Sequence, residues 1–430
     1  MTESDDWRSS VIHKVADEAS HIVLSFSETP GGGKEIKVVP ANGGIGHMYA
    51  EGEILVREEH LERVLEILEP GAEHDPGRVR SVIEGVSLLT LGEQQPLALD
   101  AIDTIDQQLG QGIATPNHVL TVAGGAGGAC PATEPQEVYY DIEPFPSVCH
   151  DGGGAGVLVY MADTGLLRDS ATHAWLEGVR MANPVEDVDP REPLEGDPPQ
   201  IPPYTGHGTF VSGVLSCIAP ATEIIVENAF AIAGSELESD LVPRLDAALG
   251  LGVDIFHLTI ACSSRNDLPL IAFQEWLRKV RQSGAVCIAA AGNSGFDRKT
   301  WPAAFPGVIG VGALGGDWRG RATFSNFGSW VDVYAPGRDL INAYATGNYT
   351  CHVFPYAGEV RKFYGMAKWS GTSFSTPIVT GLIAARMSRT GENARQAAAA
   401  VLAEARSQAI PGVGPVLWPS GYPHPMTPLA

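Results

Sequence analysis

Four short stretches of the sequence carry side chains that can take part in acyl transfer. Asp163 lies in MADTGL, His207 in GHGTFVSG, Asn293 in AAAGNSG and Ser373 in GTSFSTP. Acyl transfer by a serine needs a nucleophilic hydroxyl, an imidazole that takes its proton and a carboxylate that fixes the imidazole tautomer. An amide beside them can donate a hydrogen bond to the oxyanion that develops on the attacked carbonyl. Together the four residues indicate a serine hydrolase.

Each of these residues also has an ordinary structural explanation when taken alone. Ser373 precedes an apolar helical run, and hydroxyls are common at helix starts because they accept from unpaired backbone N–H groups. Asp163 and Asn293 follow apolar runs, where turn residues are frequent. His207 opens a helix with a buried face, so a packed or capping histidine is the alternative there. The catalytic interpretation depends on the four residues meeting in space.

The elements that must bring these residues together are apolar strands that alternate with helices. From residue 155 onwards, GVLVYMAD, EIIVENA, VDIFHLTI, AVCIAAAG and GVIGVGA predict strands, and the segments between them predict helices. Fully apolar strands in this alternation are typical of a parallel sheet that is covered on both faces. We therefore predict an α/β fold with a doubly wound, mostly parallel sheet. Functional residues are expected beyond the carboxyl ends of its strands.

A smaller α/β unit is predicted ahead of this domain. Residues 20–123 predict a small N-terminal module with the order β-α-β-β-α-β, because two helical periodicities alternate with short apolar runs. The predicted organisation is a polar tail at 1–19, the module at 20–123, a Gly- and Pro-rich linker at 124–154, the main domain at 155–405 and a Pro-rich tail at 406–430.

The blocks DTG, HGTFVSG, AAAGNSG and GTSFSTPIVTG, in this order, resemble the four signature blocks of the subtilisin-like serine peptidases. The order Asp, His, Ser is also that of subtilisin, whereas α/β-hydrolases run Ser, Asp, His and carry G-x-S-x-G. The resemblance covers residues 155–405. It implies that Ser373 is the nucleophile, His207 the general base and acid, and Asp163 the residue that orients the imidazole. It also implies that Asn293 and the Ser373 backbone N–H stabilise the oxyanion.

The resemblance also implies where a substrate binds. The segment HLTIAC at 257–262 is similar to the strand that pairs with the substrate backbone in this family, and AAAG lies just before Asn293. The implied substrate-binding residues are Thr259, Ile260, Ala261, Ala290 and Gly292. Family members commonly have Asn-x-Ser-x-Gly in the first segment, whereas this chain has His257, Thr259 and Ala261. The cleavage preference therefore does not follow from the resemblance.

The leading hypothesis is a serine endopeptidase that acts on protein or peptide substrates through an acyl-enzyme on Ser373. The alternatives are a catalytically silent peptide-binding protein that retains the fold and a serine esterase. Subtilisin-like enzymes often carry a small pro-domain that blocks the cleft. Residues 20–123 are therefore expected either to act as such an intramolecular inhibitor, cleaved off in the linker, or to remain as a permanent accessory domain.

Composition and charge limit the partners and the location. The formal net charge of −23 argues against nucleic acid as a partner, because phosphate binding needs clustered Lys and Arg. No secretory signal and no apolar run of membrane-spanning length is recognisable, so we expect a cytoplasmic location unless a leader is missing from the given chain. No cofactor is expected. Carboxylates within 183–206 could bind structural calcium, but without a fixed-spacing calcium loop a solvated acidic loop is favoured.

Overall fold

The N-terminal part of the chain forms an antiparallel sheet with two helices on one face. The strands are β1 (Ile36–Ala41), β2 (Gly44–Arg57), β3 (Val79–Ile83), β4 (Val86–Thr90) and β5 (Ala114–Val122), and the helices are α1 (Leu61–Leu68) and α2 (Ala98–Leu109). The strand order is β5-β2-β4-β3, and β1 pairs with β2. The predicted β-α-β-β-α-β order is present as β2-α1-β3-β4-α2-β5, and β1 is an additional strand that the sequence analysis missed.

The computed structural model describes most but not all of the chain. The described residues are 19–20, 22–27, 33–41, 44–71, 75–92, 95–122, 132–139, 142–191, 194–230, 234–352 and 355–419. Most of the predicted polar tail, part of the predicted linker and the end of the Pro-rich tail lie outside these residues. The predicted domain boundaries stay predictions.

Apolar spacing accounts for both helices of the module. Val64 and Leu65 of α1 are buried, as are Ile102 and Ile105 of α2. Leu61 and Leu68 lie three or four residues from Val64 and Leu65 and pack in the same cluster, and Ile105 follows Ile102 by three, so each helix presents one apolar stripe to the sheet. Gly110 has a φ of 95° and follows the last residue of α2, where a residue with a side chain would be strained. The two helices of the module therefore follow from apolar spacing that is visible in the sequence.

Seven parallel strands form the sheet of the main domain. They are β6 (Leu158–Asp163), β7 (Val179–Met181), β9 (Glu223–Asn228), β11 (Ile255–Leu258), β13 (Val286–Ala290), β14 (Val308–Leu314) and β15 (Val333–Pro336), with β8 (Gln200–Ile201), β10 (Ser235–Leu237) and β12 (Ile260–Ala261) lying between them in the chain. Their order across the sheet is β15-β14-β13-β11-β6-β9-β7, and every neighbouring pair is parallel. The prediction of a parallel sheet is confirmed.

Helices cover both faces of this sheet. They are α3 (His207–Ile218), α4 (Glu238–Ala248), α5 (Ile271–Ser283), α6 (Thr372–Thr390) and α7 (Ala394–Ser407). Val159 and Met161 of β6 join the core cluster that contains α3, α6 and α7, whereas Tyr160 and Ala162 join the cluster that contains α4 and α5. Successive strand residues point to opposite faces, so the doubly wound arrangement is confirmed. Within the described ranges no helix is long and apolar enough to cross a membrane.

A hairpin and several short helices complete the described structure. Strands β16 (Leu340–Thr350) and β17 (Val360–Trp369) pair in antiparallel fashion, and β8 pairs with β16. Short 3-10 helices lie at Glu58–His60, Pro76–Arg78, Ser170–Thr172, Ala174–Leu176, Leu249–Leu251 and Arg265–Asp267. The hairpin directly precedes the helix that carries Ser373.

Strand β5 joins the module to the main domain through backbone pairing. On one side of its C-terminal half it pairs with β10, where Leu120 lies opposite Glu236. At its C-terminal end it pairs with β12, where Val122 lies opposite Ile260. Both pairings are antiparallel. The sheet of the module therefore continues into two strands of the main domain, an arrangement that the sequence analysis did not foresee.

Side-chain contacts reinforce this junction. Leu120 and Val122 are fully buried in the core cluster that also holds Ile260 and residues of α4 and α5. Arg265, which precedes α5, forms ion pairs with Asp103 and Asp106 of α2. Because the pairing, the apolar packing and the ion pairs coincide, the module and the main domain share one interface.

The substitution Leu120→Ala tests this interface. It removes a fully buried side chain from a core shared by both parts, so we expect the free energy of unfolding to fall by about 2–5 kcal/mol. The measurement is urea unfolding followed by fluorescence, in a Ser373→Ala background that prevents self-digestion. Leu97→Ala is the control, because Leu97 is 59% exposed. Equal unfolding midpoints for the two variants would contradict the described packing.

Candidate active site

A buried hydrogen bond joins Asp163 to His207. Asp163 is the last residue of β6, and His207 is the first residue of α3. His207 Nδ1 lies 2.7 Å from Asp163 Oδ1, and both side chains are 0% exposed. Gly208 permits this approach, because a Cβ there would lie only 2.3 Å from the carbonyl oxygen of Gly165. The sequence prediction that these two residues meet at the rim of the sheet agrees with this geometry.

The Asp163 carboxylate accepts two further hydrogen bonds. The Thr164 backbone N–H donates to Oδ1 at 2.7 Å, and the Thr259 hydroxyl donates to Oδ2 at 2.5 Å. Burial alone would raise the pKa of Asp163, but the charge and hydrogen bond of His207, together with the bonds from Thr259 and Thr164, hold that pKa below its ordinary value. The carboxylate is therefore charged at neutral pH, as the orienting role requires.

The hydroxyl of Thr259 has a role that the sequence analysis missed. Thr259 was predicted to bind substrate, yet its side chain is fully buried and directed at Asp163. The only sequence signal is a hydroxyl residue directly after an apolar strand that neighbours β6 in the sheet. That signal could not be read without the strand order, which the sequence alone does not reveal.

Asn293 lies beside the start of α6. Its Oδ1 accepts from the Thr372 backbone N–H at 2.8 Å and from the Thr372 hydroxyl at 3.0 Å. The Thr372 hydroxyl in turn accepts from the Gly292 N–H at 3.1 Å. Because the carbonyl end of the side-chain amide is held by Thr372, its NH₂ end is directed away from that residue. This orientation suits a donor to an oxyanion formed at the neighbouring Ser373.

Ser373 lies between Asn293 and His207, as judged from the contacts of the residues just before and just after it in the chain. Thr372, just before it, binds Asn293, and the ring of Phe374, just after it, lies 5.4 Å from the ring of His207. Ser373 is the second residue of α6, where the partial positive charge of the helix N-terminus favours a developing negative charge. All four predicted residues thus belong to one region.

The reactive atoms of this region are buried and not yet hydrogen-bonded. Neither Ser373 Oγ nor His207 Nε2 has a hydrogen-bond partner within the described part of the chain, and both side chains are 0% exposed. Catalytic hydrogen bonds often tighten only when substrate binds. The site is therefore closed to solvent, with its nucleophile and base unengaged. The catalytic role of each residue stays a prediction.

Aromatic rings surround the imidazole of His207. Trp369 approaches it edge-on at 5.8 Å, and Phe374 lies tilted at 5.4 Å. Phe210, one turn further along α3, packs against Phe374 at 4.5 Å. Phe374, a bulky residue next to the predicted nucleophile, therefore packs inward against α3 and does not project into the region where a substrate carbonyl would lie. The rings also restrict the orientations available to the imidazole.

The remaining predicted substrate-binding residues lie in two places, the junction with the module and the carboxyl end of β13. Ile260 and Ala261 pair with Val122 and Thr121 of β5, so the strand expected to bind a substrate backbone is occupied by a segment of the chain itself. Ala290 is the buried last residue of β13. The Gly292 N–H donates to the Thr372 hydroxyl, and the Gly292 carbonyl oxygen accepts from the Asn326 N–H.

Two carboxylates of the acidic segment 183–206 are buried, so the expectation of a solvated loop does not apply to them, whereas Glu186, Glu195 and Asp197 are exposed. Asp187 and Asp189 are only 3% and 6% exposed. The segment lies against the main domain, because Leu166 and Val188 form a parallel bridge. Both carboxylates accept hydrogen bonds from backbone N–H or hydroxyl groups. Within the described ranges no three His, Cys, Asp or Glu residues lie together as a metal site would require.

Comparison with known proteins identifies the family. The family model described as the subtilase family matches residues 154–413, which are more than half of the 430 residues. The chain belongs to the subtilase family. The resemblance of the four sequence blocks is thereby confirmed, and the Asp163–His207 pair occupies the first two of those blocks in this subtilase.

Several known proteins are similar to this subtilase over part of their length. A thermophilic serine proteinase of Bacillus sp. (strain AK1) is 30% identical over 251 residues, which are 56% of this chain and 54% of that protein. An intracellular serine protease of Paenibacillus polymyxa is 29% identical over 255 residues, which are 56% of this chain and 69% of that protein. The chain thus spans about half the length of the Bacillus proteinase.

One solved structure extends the likeness to the N-terminal module. The structure of fervidolysin from Fervidobacterium pennivorans, a keratinolytic enzyme related to subtilisin, matches 86% of this chain and 60% of its own, with a TM-score of 0.56 and 18% sequence identity. At this identity the likeness concerns the fold alone.

The substitution Thr259→Val tests the hydroxyl that faces Asp163. It preserves the side-chain shape and removes a hydrogen bond to a buried charge, worth roughly 1.5–3 kcal/mol. We expect kcat for a peptide substrate to fall by about 10- to 100-fold with little change in KM. Thr259→Ser keeps the hydroxyl and should retain most of the activity. Equal kcat values for the two variants would show that this hydrogen bond does not support catalysis.

Proposed function

We propose that this subtilase is a serine endopeptidase that hydrolyses peptide bonds through an acyl-enzyme on Ser373. The observation that carries the proposal is the buried Asp163–His207 hydrogen bond next to the N-terminus of the helix that bears Ser373. The names of the two relatives, a serine proteinase and a serine protease, support the same reaction class.

The proposed mechanism follows from the orientation of each group. Ser373 Oγ attacks the substrate carbonyl carbon while His207 Nε2 takes its proton, and Asp163 stabilises the imidazolium that forms. The oxyanion accepts from the Asn293 side-chain amide and the Ser373 backbone N–H. The tetrahedral intermediate collapses as His207 protonates the leaving amine. Water, deprotonated by His207, then attacks the acyl-enzyme. The bond to Ser373 Oγ breaks, His207 returns the proton to Oγ, and the carboxylic acid product leaves.

The pairing of β5 indicates the path of an extended substrate. Val122 lies opposite Ile260, and the residue before Ile260, Thr259, touches Asp163. Since β5 and β12 are antiparallel, β5 runs towards the catalytic residues in its N-to-C direction. A peptide in its place would bind between β10 and β12 through backbone hydrogen bonds and present the bond beyond its last paired residue to Ser373.

The same pairing supports intramolecular inhibition by the N-terminal module. Strand β5 occupies the path just described, and the Val122 N–H donates to the Gly234 carbonyl at 2.8 Å. Ser373 and His207 are fully buried in this state. We propose that the module must withdraw before a substrate binds, after cleavage in the predicted linker. A permanent accessory domain remains the alternative, and it predicts activity of the uncleaved chain.

The proposed location is the cytoplasm. The name of the Paenibacillus relative, an intracellular serine protease, supports it.

A fluorophosphonate probe tests the nucleophile. Such probes react with activated serines, so the wild-type protein, once processed, should be labelled at Ser373 and should hydrolyse a peptide library. Ser373→Ala should lose the label, and its kcat should fall by about 10⁴-fold or more. Ser375→Ala, two residues further along α6, is the matched control and should still be labelled. A folded, processed sample that takes up no label would contradict the proposed chemistry.

Gel analysis of freshly expressed protein tests the role of the module. We expect wild type to yield a shortened band whose new N-terminus lies after Val122, while Ser373→Ala stays at full length because it cannot cut itself. Added back, the separated N-terminal fragment should slow peptide hydrolysis. A single full-length wild-type band with undiminished activity would favour the permanent accessory domain.

A further inference from the structure

The segment 183–191 is fastened to the carboxyl edge of the main sheet beside the Asp163–His207 pair. The Leu166 N–H donates to the Asp187 carbonyl at 2.9 Å, and the Asp189 N–H donates to the Leu166 carbonyl at 2.8 Å. The Asn228 side chain donates to the Val188 carbonyl at 3.2 Å. These bonds hold the backbone of the segment in one place and fix where its two buried carboxylates lie.

The carboxylate of Asp189 connects the turn after β6 to the start of α3. Its Oδ2 accepts from the Thr164 hydroxyl and from the Gly206 backbone N–H, each at 2.7 Å. Thr164 follows Asp163 directly, and Gly206 precedes His207 directly. The Thr164 hydroxyl also accepts from the Gly208 N–H at 3.0 Å. A single oxygen of Asp189 thus binds both the residue that follows Asp163 and the residue that precedes His207.

This link matters because it joins the point where the chain leaves β6 to the point where it enters α3. Beyond β6, Thr164 forms an isolated antiparallel bridge with Asn228, but that bridge does not reach α3. Gly206 has a φ of 84° and no side chain to cap the helix, and Thr164 lies beyond the end of β6. A displacement of about 1 Å in either segment would move the imidazole relative to the nucleophile, and misplacements of that size cost about 10²-fold in rate.

We propose that Asp189 is a positioning residue of the active site, which fixes Asp163 and His207 relative to each other and places a second carboxyl group beside them. The inference rests on the proposed peptidase function. It adds a residue to the triad and the oxyanion donor, and this residue acts through Thr164 and Gly206 without touching the substrate.

The second carboxyl group should also influence the positive charge that develops on the imidazole during acyl transfer. Burial raises the pKa of Asp189 to about 7, with a further contribution from the charge of Asp163, although the bonds from Thr164 and Gly206 oppose the shift. Two titratable groups that interact with it are Asp163 and the phenol of Tyr344, and burial raises the pKa of that phenol well above its ordinary value. Asp189 is therefore neutral well below pH 7 and charged well above it. In its charged form it favours the imidazolium that develops during acyl transfer.

The variant Asp189→Asn tests the proposal, because it keeps the size of the side chain and removes the charge. Peptide hydrolysis is measured from pH 5.5 to 9 on processed protein. We expect kcat at pH 8.5 to fall by about tenfold with KM unchanged. The loss should shrink to about two- to threefold at pH 6, and the acid limb of kcat/KM should move to lower pH. Thr164→Val, which breaks the link and keeps the charge, should lower kcat without that shift.

Asp187→Asn is the matched control, because Asp187 is equally buried in the same segment but binds the backbone N–H groups of Asn183 and Asn228 and not the neighbours of the pair. It should lower thermal stability without moving the pH profile. The proposal is wrong if Asp189→Asn matches wild type, or if it lowers kcat equally at every pH as a general structural change would. Should Asp189→Asn fail to fold, an unchanged kcat of Thr164→Val would overturn the proposal. An inactive wild type would instead overturn the proposed function.

Discussion

The structure depends on keeping one charged carboxylate in the interior next to one imidazole. A buried carboxylate without partners would be neutralised by a rise in its pKa, because desolvation disfavours the charged form. At Asp163 three donors prevent this, namely His207, Thr164 and Thr259. These donors come from a helix start, a turn and a neighbouring strand, so the main sheet must be assembled before the carboxylate is satisfied.

The parallel sheet determines where the buried carboxylate and the imidazole meet. Strands β6 and β11 are neighbours, and Asp163 and Thr259 lie just at or beyond their carboxyl ends. Strand β13 is the next neighbour, and the segment that follows it brings Asn293 to the start of α6. The functional residues thus come from different connections between strands, and they meet because of the order of those strands in the sheet. The glycine at position 208 removes the one Cβ that would keep α3 away from the turn after β6.

Features with a local signal were predictable from the sequence, and features set by long-range pairing were not. Apolar runs located the strands of the main sheet, and the blocks around Asp163, His207, Asn293 and Ser373 located the site. Strand β5 was recognised as a strand, but its pairing with β10 and β12 joins residues more than a hundred positions apart and leaves no local pattern. Asp189 was read as part of a solvated loop because composition reports charge and not burial. The hydrogen bonds that offset its burial come from the Thr164 hydroxyl and the Gly206 backbone N–H, which are distant in the chain and form no local pattern with Asp189.

The position of β5 between two short strands has a consequence for association. Unpaired N–H and C=O groups along a sheet edge invite pairing with any extended chain, including another copy of the same molecule. Strands β10 and β12 would both present such edges if β5 left, and the cleft between them is lined by apolar side chains such as Ile260. While β5 stays in place it satisfies both edges and hides that surface. The module therefore covers two strand edges that a second copy of the chain could otherwise pair with, and this covering does not depend on whether the module also blocks hydrolysis.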